Sequence, residues 1–139
     1  MRFRNNYFFL SNFYPHKIIA WGIEYPTAEH AYVASKTPNI KLRKEISQIR
    51  TPGQAKRFGR NLRLRLGWKQ LKIPMMRAIL RRKFFDPYLL NCLKKIDGEI
   101  IEHNPWHDNF WGACICDGCA DKFKQNNLGR LLMQIRDEN

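Results

Sequence analysis

The sequence predicts a helix-rich α+β fold with a small antiparallel sheet, built as a single domain over residues 1–139. Three observations lead there. The chain is 139 residues long, the length of one ordinary domain. Apolar residues recur at helical spacing in several segments after residue 26. Near the N-terminus, Trp21-Gly22 separates two short apolar runs, Ile18 to Ala20 and Ile23 to Tyr25, as a hairpin turn does. No repeat, low-complexity tract or linker breaks the chain.

The elements follow in order. Residues 1–25 read as strands and turns. Pro26-Thr27 opens a helix to about Lys36, with Thr27 as N-cap and Glu29 in the first turn, where the helix dipole favours an acid. A second helix covers 39–49, with Leu42, Ile46 and Ile49 on one face. Thr51-Pro52 forms the next N-cap and N1 pair, and Gly59 is the expected stop. A longer helix follows Trp68. Pro74 requires either a start near Gln70 or a kink, because proline is tolerated only in the first turn. Asp86-Pro87 repeats the cap signal for a helix through Lys95. Residues 99–103 suit a short strand, and residues 126–136 a last helix burying Leu128, Leu131, Leu132 and Ile135.

Composition narrows the function classes. Hydrophobic residues make up 44% and aromatics 13%, which is globular composition and excludes a disordered chain. No apolar run approaches the ~18 residues that span a bilayer, so no membrane partner is expected. The first residues show no signal-peptide pattern, and a cytoplasmic location is expected. The formal net charge is +13, and residues 41–83 carry 15 Lys and Arg against one acid, Glu45. Such a concentration attracts polyanions or phosphorylated ligands, unless it is simply a solvated helical surface.

Three segments carry more polar and aromatic groups than a core requires. In FLSNFYP (9–15), Ser11-Asn12 between aromatics fits a pocket-lining loop that includes Phe13. In PTAEHAYVASK (26–36), Glu29 and Lys36 lie seven apart on one helical face with Tyr32 and Val33, either as a salt bridge or as an acid/base pair. In IEHNPWHDNFWG (101–112), two Trp, two His and Asp108 share a short loop. Aromatic rings there can stack on a base, and a carboxylate can serve a sugar carbon or hydroxyl. Cys114, Cys116 and Cys119 follow directly. With His107 or His103 they could supply four zinc ligands, although the usual two-plus-two spacing is absent; free thiols are the other reading.

Taken in order, FLSNFYP, G-x2-YPTAEHAY with Lys36, TPGQAKRFGR, Trp68 with Lys72 and Met76, Lys83-Phe84, Asp108-x2-Trp111-Gly112 and NNLGRLLMQIR resemble the NADAR family over about residues 3 to 136. Two features depart from its pattern. Pro74 stands between Trp68 and Lys83, and the cysteines replace a plainer linker found in many members. The resemblance implies an N-glycosidase. One branch of the family hydrolyses ribosylamine phosphates of riboflavin synthesis; another removes ADP-ribose from guanine in nucleic acid. Glu29, Trp68, Lys83, Asp108 and Trp111 match the family's polar pattern, with Asn12, Lys36 and Asn127 next.

Cleavage of a ribosyl C–N bond needs a proton for the leaving nitrogen, stabilisation of the anomeric carbon, and a placed water or nucleophile. Glu29 and Asp108 suit the proton transfers, in either order. Lys36 or Lys83 offers a Schiff-base route through the opened ribose, which needs an amine of lowered pKa. Arg81 and Arg82 beside Lys83 would supply that lowering if close in space. Trp68 or Trp111 would flank the base or sugar, and cations from residues 56–72, Lys72 among them, would hold phosphate. No cofactor is expected. The ligand is a phosphorylated ribose or ADP-ribose, and the basic stretch weakly favours ADP-ribosylated guanine in nucleic acid. A non-catalytic nucleic-acid-binding module and a structural zinc domain are the competing classes.

Overall fold

The computed structural model describes all 139 residues and divides them into two compact units, residues 12–85 and residues 1–11 with 86–139. Its six α-helices, two 3-10 segments and short strands give the helix-rich α+β architecture expected.

In residues 12–85, strands β1 (Pro15–Ala20) and β2 (Ile23–Thr27) pair antiparallel, with Ala20 opposite Ile23 and Ile18 opposite Tyr25. Trp21 (φ 53°) and Gly22 (φ 78°) both adopt the left-handed conformation that a two-residue hairpin loop demands. Ile18, Ala20 and Tyr25 face inward, while Lys17 and Ile19 are exposed, the alternation of a half-buried sheet.

Helix α1 (Ala28–Ser35) follows at once, and all eight of its residues are buried. A helix apolar or satisfied on every side belongs at the centre of its unit, and α1 packs on both strands, on α2 (Ile40–Ser47), α3 (Pro52–Arg60) and α4 (Trp68–Lys83). Its N-cap Thr27 accepts from the His30 backbone at 3.2 Å. His30 is fully buried. Its Nε2 lies 2.8 Å from the Ile49 carbonyl, which can only accept, so Nε2 carries the proton and Nδ1 accepts from the Thr27 hydroxyl at 2.7 Å. Burial lowers the His30 pKa, consistent with this neutral tautomer. His30 is therefore a structural residue.

Two expectations need correction here. Gly59 does not stop α3, which runs on to Arg60 behind its Thr51 capping box. A Cβ at Gly59 would lie 3.0 Å from a Val33 methyl, so the glycine is there to let α3 approach α1 closely. Helix α4 begins at Trp68, not near Gln70, and keeps Pro74 in its interior. Pro74 has no N–H for the carbonyl of Gln70; Gln70 is exposed, so water can satisfy the group.

In the other unit, the N-terminal residues form a 3-10 helix, Asn5–Leu10, where strand was expected. The terminal ammonium donates to the Ile101 carbonyl at 2.9 Å and also meets the His103 ring. Asp86 caps α5 (Pro87–Lys94) by accepting from Leu89 at 3.0 Å. The strand expected over 99–103 shrinks to β3 (His103–Asn104), paired parallel with β4 (Ala113–Cys114). Polar anchoring explains the loss of regular structure before it, because the Ile100 carbonyl and the Glu102 N–H both bond to the Asn126 side chain. Helix α6 (Asn127–Glu138) buries Leu128, Leu131, Leu132 and Ile135 as expected. Gly129 is obligatory there: a Cβ would run into the Ile100 carbonyl and the Asn126 amide.

Candidate active site

Within residues 12–85 the chemistry gathers where the loop after the 3-10 helix meets the start of α1. The Asn12 carbonyl accepts from the Glu29 N–H at 3.0 Å, which fixes the FLSNFYP loop against the residue most suited to proton transfer. The Asn12 amide nitrogen reaches only the Met76 sulfur, at 3.5 Å, and its buried carbonyl oxygen has no partner. A buried amide oxygen left so is an exception in a folded protein.

One and two turns along α1, Tyr32 and Lys36 share the Glu29 face. The Lys36 ammonium lies 5.5 Å from the Tyr32 ring centre, and Tyr32 packs at 5.6 Å on Trp68, the first residue of α4. Burial lowers the Lys36 pKa; Glu29 opposes the fall, and Lys56, Arg60 and Lys72 add to it. These causes locate a cluster. α3 contributes Lys56 and Arg60 one turn apart, and the first turns of α4 contribute Lys72. Lys56 lies 5.9 Å from the Phe13 ring. The unit thus presents one carboxylate, four cations and three rings along one face of α1.

Lys83 is placed differently. It is 0% exposed, with its ammonium 5.5 Å from the Tyr14 ring and 5.3 Å from that of Phe84. Burial alone brings its pKa down to about 7. Arg81 and Arg82, expected to cause that lowering, are exposed; desolvation is the reason instead. Lys83 is an amine that loses its charge near neutrality, and Lys36 is the lysine set against a carboxylate.

In the other unit, Asp108, Trp111 and Asn127 form one constellation. The Asp108 Oδ1 accepts from the backbone of Phe110 at 3.0 Å and Trp111 at 2.8 Å, which turns the chain sharply and leaves Oδ2 for other work. Phe110 and Trp111 meet edge to face at 4.8 Å. The Asn127 amide donates to the Phe110 carbonyl at 3.0 Å and to Gln125 at 3.3 Å, so in this state it shapes the loop that carries Asp108 and Trp111.

Sequence reasoning missed what holds this loop. Asn104, fully buried, accepts through Oδ1 from Trp106 and Asp108 and donates through Nδ2 to the Asp108 carbonyl at 2.8 Å and to Glu102 at 3.1 Å. Glu102 is a buried carboxylate in this unit, with Gly112 folded so close that no Cβ fits between them. The signal was available: Glu102 follows Ile100-Ile101 directly, an acid where an inward side chain is due.

A family model described as the NADAR domain matches residues 2–138. A riboflavin biosynthesis protein of Vibrio vulnificus, VVA0006, is 36% identical over 137 residues; the alignment takes in 96% of the present chain but only 36% of the Vibrio protein. The N-glycosidase YbiA of Shigella flexneri serotype 5b is 37% identical, covering 92% of the chain and 79% of the enzyme. The NMR structure of Escherichia coli YbiA superposes with a TM-score of 0.82 at 32% identity, over 99% of this chain and 83% of that one.

Proposed function

From the premise that the chain belongs to the NADAR family and is an N-glycoside hydrolase, we propose that its substrate is a ribosylamine 5-phosphate, in which a nitrogen base is joined to C1 of a phosphorylated ribose. The observation that carries this reading is the gathering of Lys56, Arg60 and Lys72 around Lys36, whose ammonium lies against α3 at Gly59 on the Glu29 face of α1. A phosphate dianion among four cations supplies charge-assisted hydrogen bonds. The unpartnered Asn12 side-chain oxygen and the Tyr32–Trp68 rings then offer an acceptor for a hydroxyl and an apolar wall. Glu29 is the carboxylate of this cluster for proton transfer to the leaving nitrogen or from water, and Asp108 of the other unit is the second candidate for that role. A phosphate there opposes the lowering of the Lys36 pKa, which desolvation leads and the neighbouring cations add to.

The riboflavin biosynthesis relatives favour such a substrate. Part of the basic stretch is also engaged within the fold. Arg43 donates to the carbonyls of Ala34 and Thr37, Arg65 to that of Ser35, and Lys83 is buried. A second reading, ADP-ribosylated guanine in nucleic acid, is favoured by the exposed Arg57, Arg63 and Lys69.

The test is a comparison of phosphorylated and dephosphorylated substrate. Lys56→Met and Lys72→Met should each raise KM for the 5-phosphate ~10-fold or more, the loss of a charged hydrogen bond, with little effect on the dephosphorylated analogue. Equal effects on the two substrates would remove the phosphate assignment. Activity that instead needs a polynucleotide, falls steeply with salt and is lost on neutralising Arg57 and Arg63 would establish the second reading.

A further inference from the structure

The sulfur-rich segment after the Asp108 loop takes no part in this chemistry. His107, Cys114, Cys116 and Cys119 bring one imidazole nitrogen and three sulfurs within 4.8 Å of one another. Cys116 Sγ lies 3.3 Å, Cys119 Sγ 3.4 Å and Cys114 Sγ 3.9 Å from the same atom, His107 Nδ1. A tetrahedral ion with metal–sulfur bonds of about 2.3 Å and a metal–nitrogen bond of about 2.0 Å has S···N edges of roughly 3.5 Å and S···S edges of roughly 3.8 Å. The observed spacings scatter around those edges. Cys114 and Cys116 are 3.3 Å apart, far beyond a disulfide bond, and all four cysteines are free.

Packing does not account for the arrangement. Cys114 and Cys119 are buried as small apolar residues commonly are. Burial alone would not aim three sulfurs at one nitrogen of an exposed histidine. His107 also sits at φ 69°, in the left-handed region that few non-glycine residues occupy. The backbone supplies what thiolates need: Cys116 N–H points at Cys114 Sγ at 3.5 Å. Three thiolates and a divalent ion leave one negative charge, and the Lys124 ammonium stands against the Cys119 carbonyl. Soft sulfur donors exclude magnesium and calcium, and a full set of four protein ligands leaves no open position for catalysis.

We propose that His107, Cys114, Cys116 and Cys119 bind one structural zinc ion. Its first two ligands bracket residues 108–113, so the ion closes the loop that carries Asp108 and Trp111 and holds it in shape. The four ligands lie within 13 residues, a clip unlike the two-plus-two arrangement of common zinc modules.

The test uses the full chain, expressed with zinc supplementation and purified without chelator. Elemental analysis should find about one zinc per chain. Cobalt added to the stripped protein should give sulfur-to-metal charge-transfer absorption and the intense visible bands of a tetrahedral site. Cys116→Ser with Cys119→Ser should weaken metal binding by at least ~10-fold, while Cys92→Ser keeps the full complement. Because the double variant can fail to fold, the cobalt spectrum of the unsubstituted chain decides independently. Zinc below ~0.1 per chain, with all thiols titrating freely in the folded protein and cobalt showing no thiolate band, would overturn the proposal. Loss of the metal with N-glycosidase activity absent from every form would count against the catalytic reading, not this one.

Discussion

Replacing Lys83 by Met keeps the length of a fully buried side chain and removes its ionisation. The folded-state pKa of about 7 lies well below the ordinary 10.5 of lysine, and the cause is desolvation. Between those two values the unfolded chain holds a proton that the folded chain has released. Stability therefore rises with pH across that window, by up to ~1.4 kcal/mol per pH unit, and this contribution is flat on either side. From about pH 7.5 to about pH 9.5 the group adds roughly 2–3 kcal/mol to the wild-type protein and nothing to Lys83→Met. Urea unfolding of both proteins at the two pH values gives the comparison, since titrations common to both cancel in the difference. The expected result is that the wild-type protein gains that amount of stability relative to Lys83→Met between the two pH values. Parallel pH dependence would show that Lys83 stays charged in the fold and would refute the desolvation argument.

Three further outcomes follow. Glu29→Gln and Asp108→Asn should each lose ~10²-fold or more in turnover while remaining folded by circular dichroism; near-normal turnover in both would end the carboxylate mechanism. Borohydride added during turnover should label Lys36 if the ribose opens to a Schiff base, and peptide mapping that finds no adduct leaves direct hydrolysis. Gly112→Ala should destabilise the protein by roughly 3 kcal/mol or more, because its Cβ would overlap both the Glu102 carboxylate and the Glu102 backbone carbonyl and lie 2.9 Å from the Asn104 amide. A thermal midpoint unchanged by that substitution would contradict the packing described around Glu102.

Local signals carried the secondary structure well. The hairpin at Trp21-Gly22 and the caps at Thr27, Thr51 and Asp86 were legible because each depends on chemistry within three or four residues. Tertiary demands escaped the same reasoning. Gly59 reads as a helix stop until Val33 is seen packed against it, and Pro74 asks for a start near Gln70 or a kink until the helix is seen to begin at Trp68 and continue through it. The 99–103 segment has the composition of a strand, but the Asn126 side chain claims its backbone. At the site, the spacing of Glu29 and Lys36 was readable, whereas the gathering of Lys56, Arg60 and Lys72 around them comes from helices meeting in space. Total charge could not distinguish those cations from Arg43 and Arg65, which serve carbonyls within the fold.

The central claim is cleavage of a ribosyl C–N bond in a 5-phosphorylated substrate, and mass spectrometry of the products tests it most directly. The full chain is incubated with a ribosylamine 5-phosphate, alongside a Glu29→Gln control. The account predicts equimolar ribose 5-phosphate and free amine, formed faster than in buffer and suppressed in the control. Intact substrate beyond the spontaneous rate, or the same products at the same rate with Glu29→Gln, would contradict it.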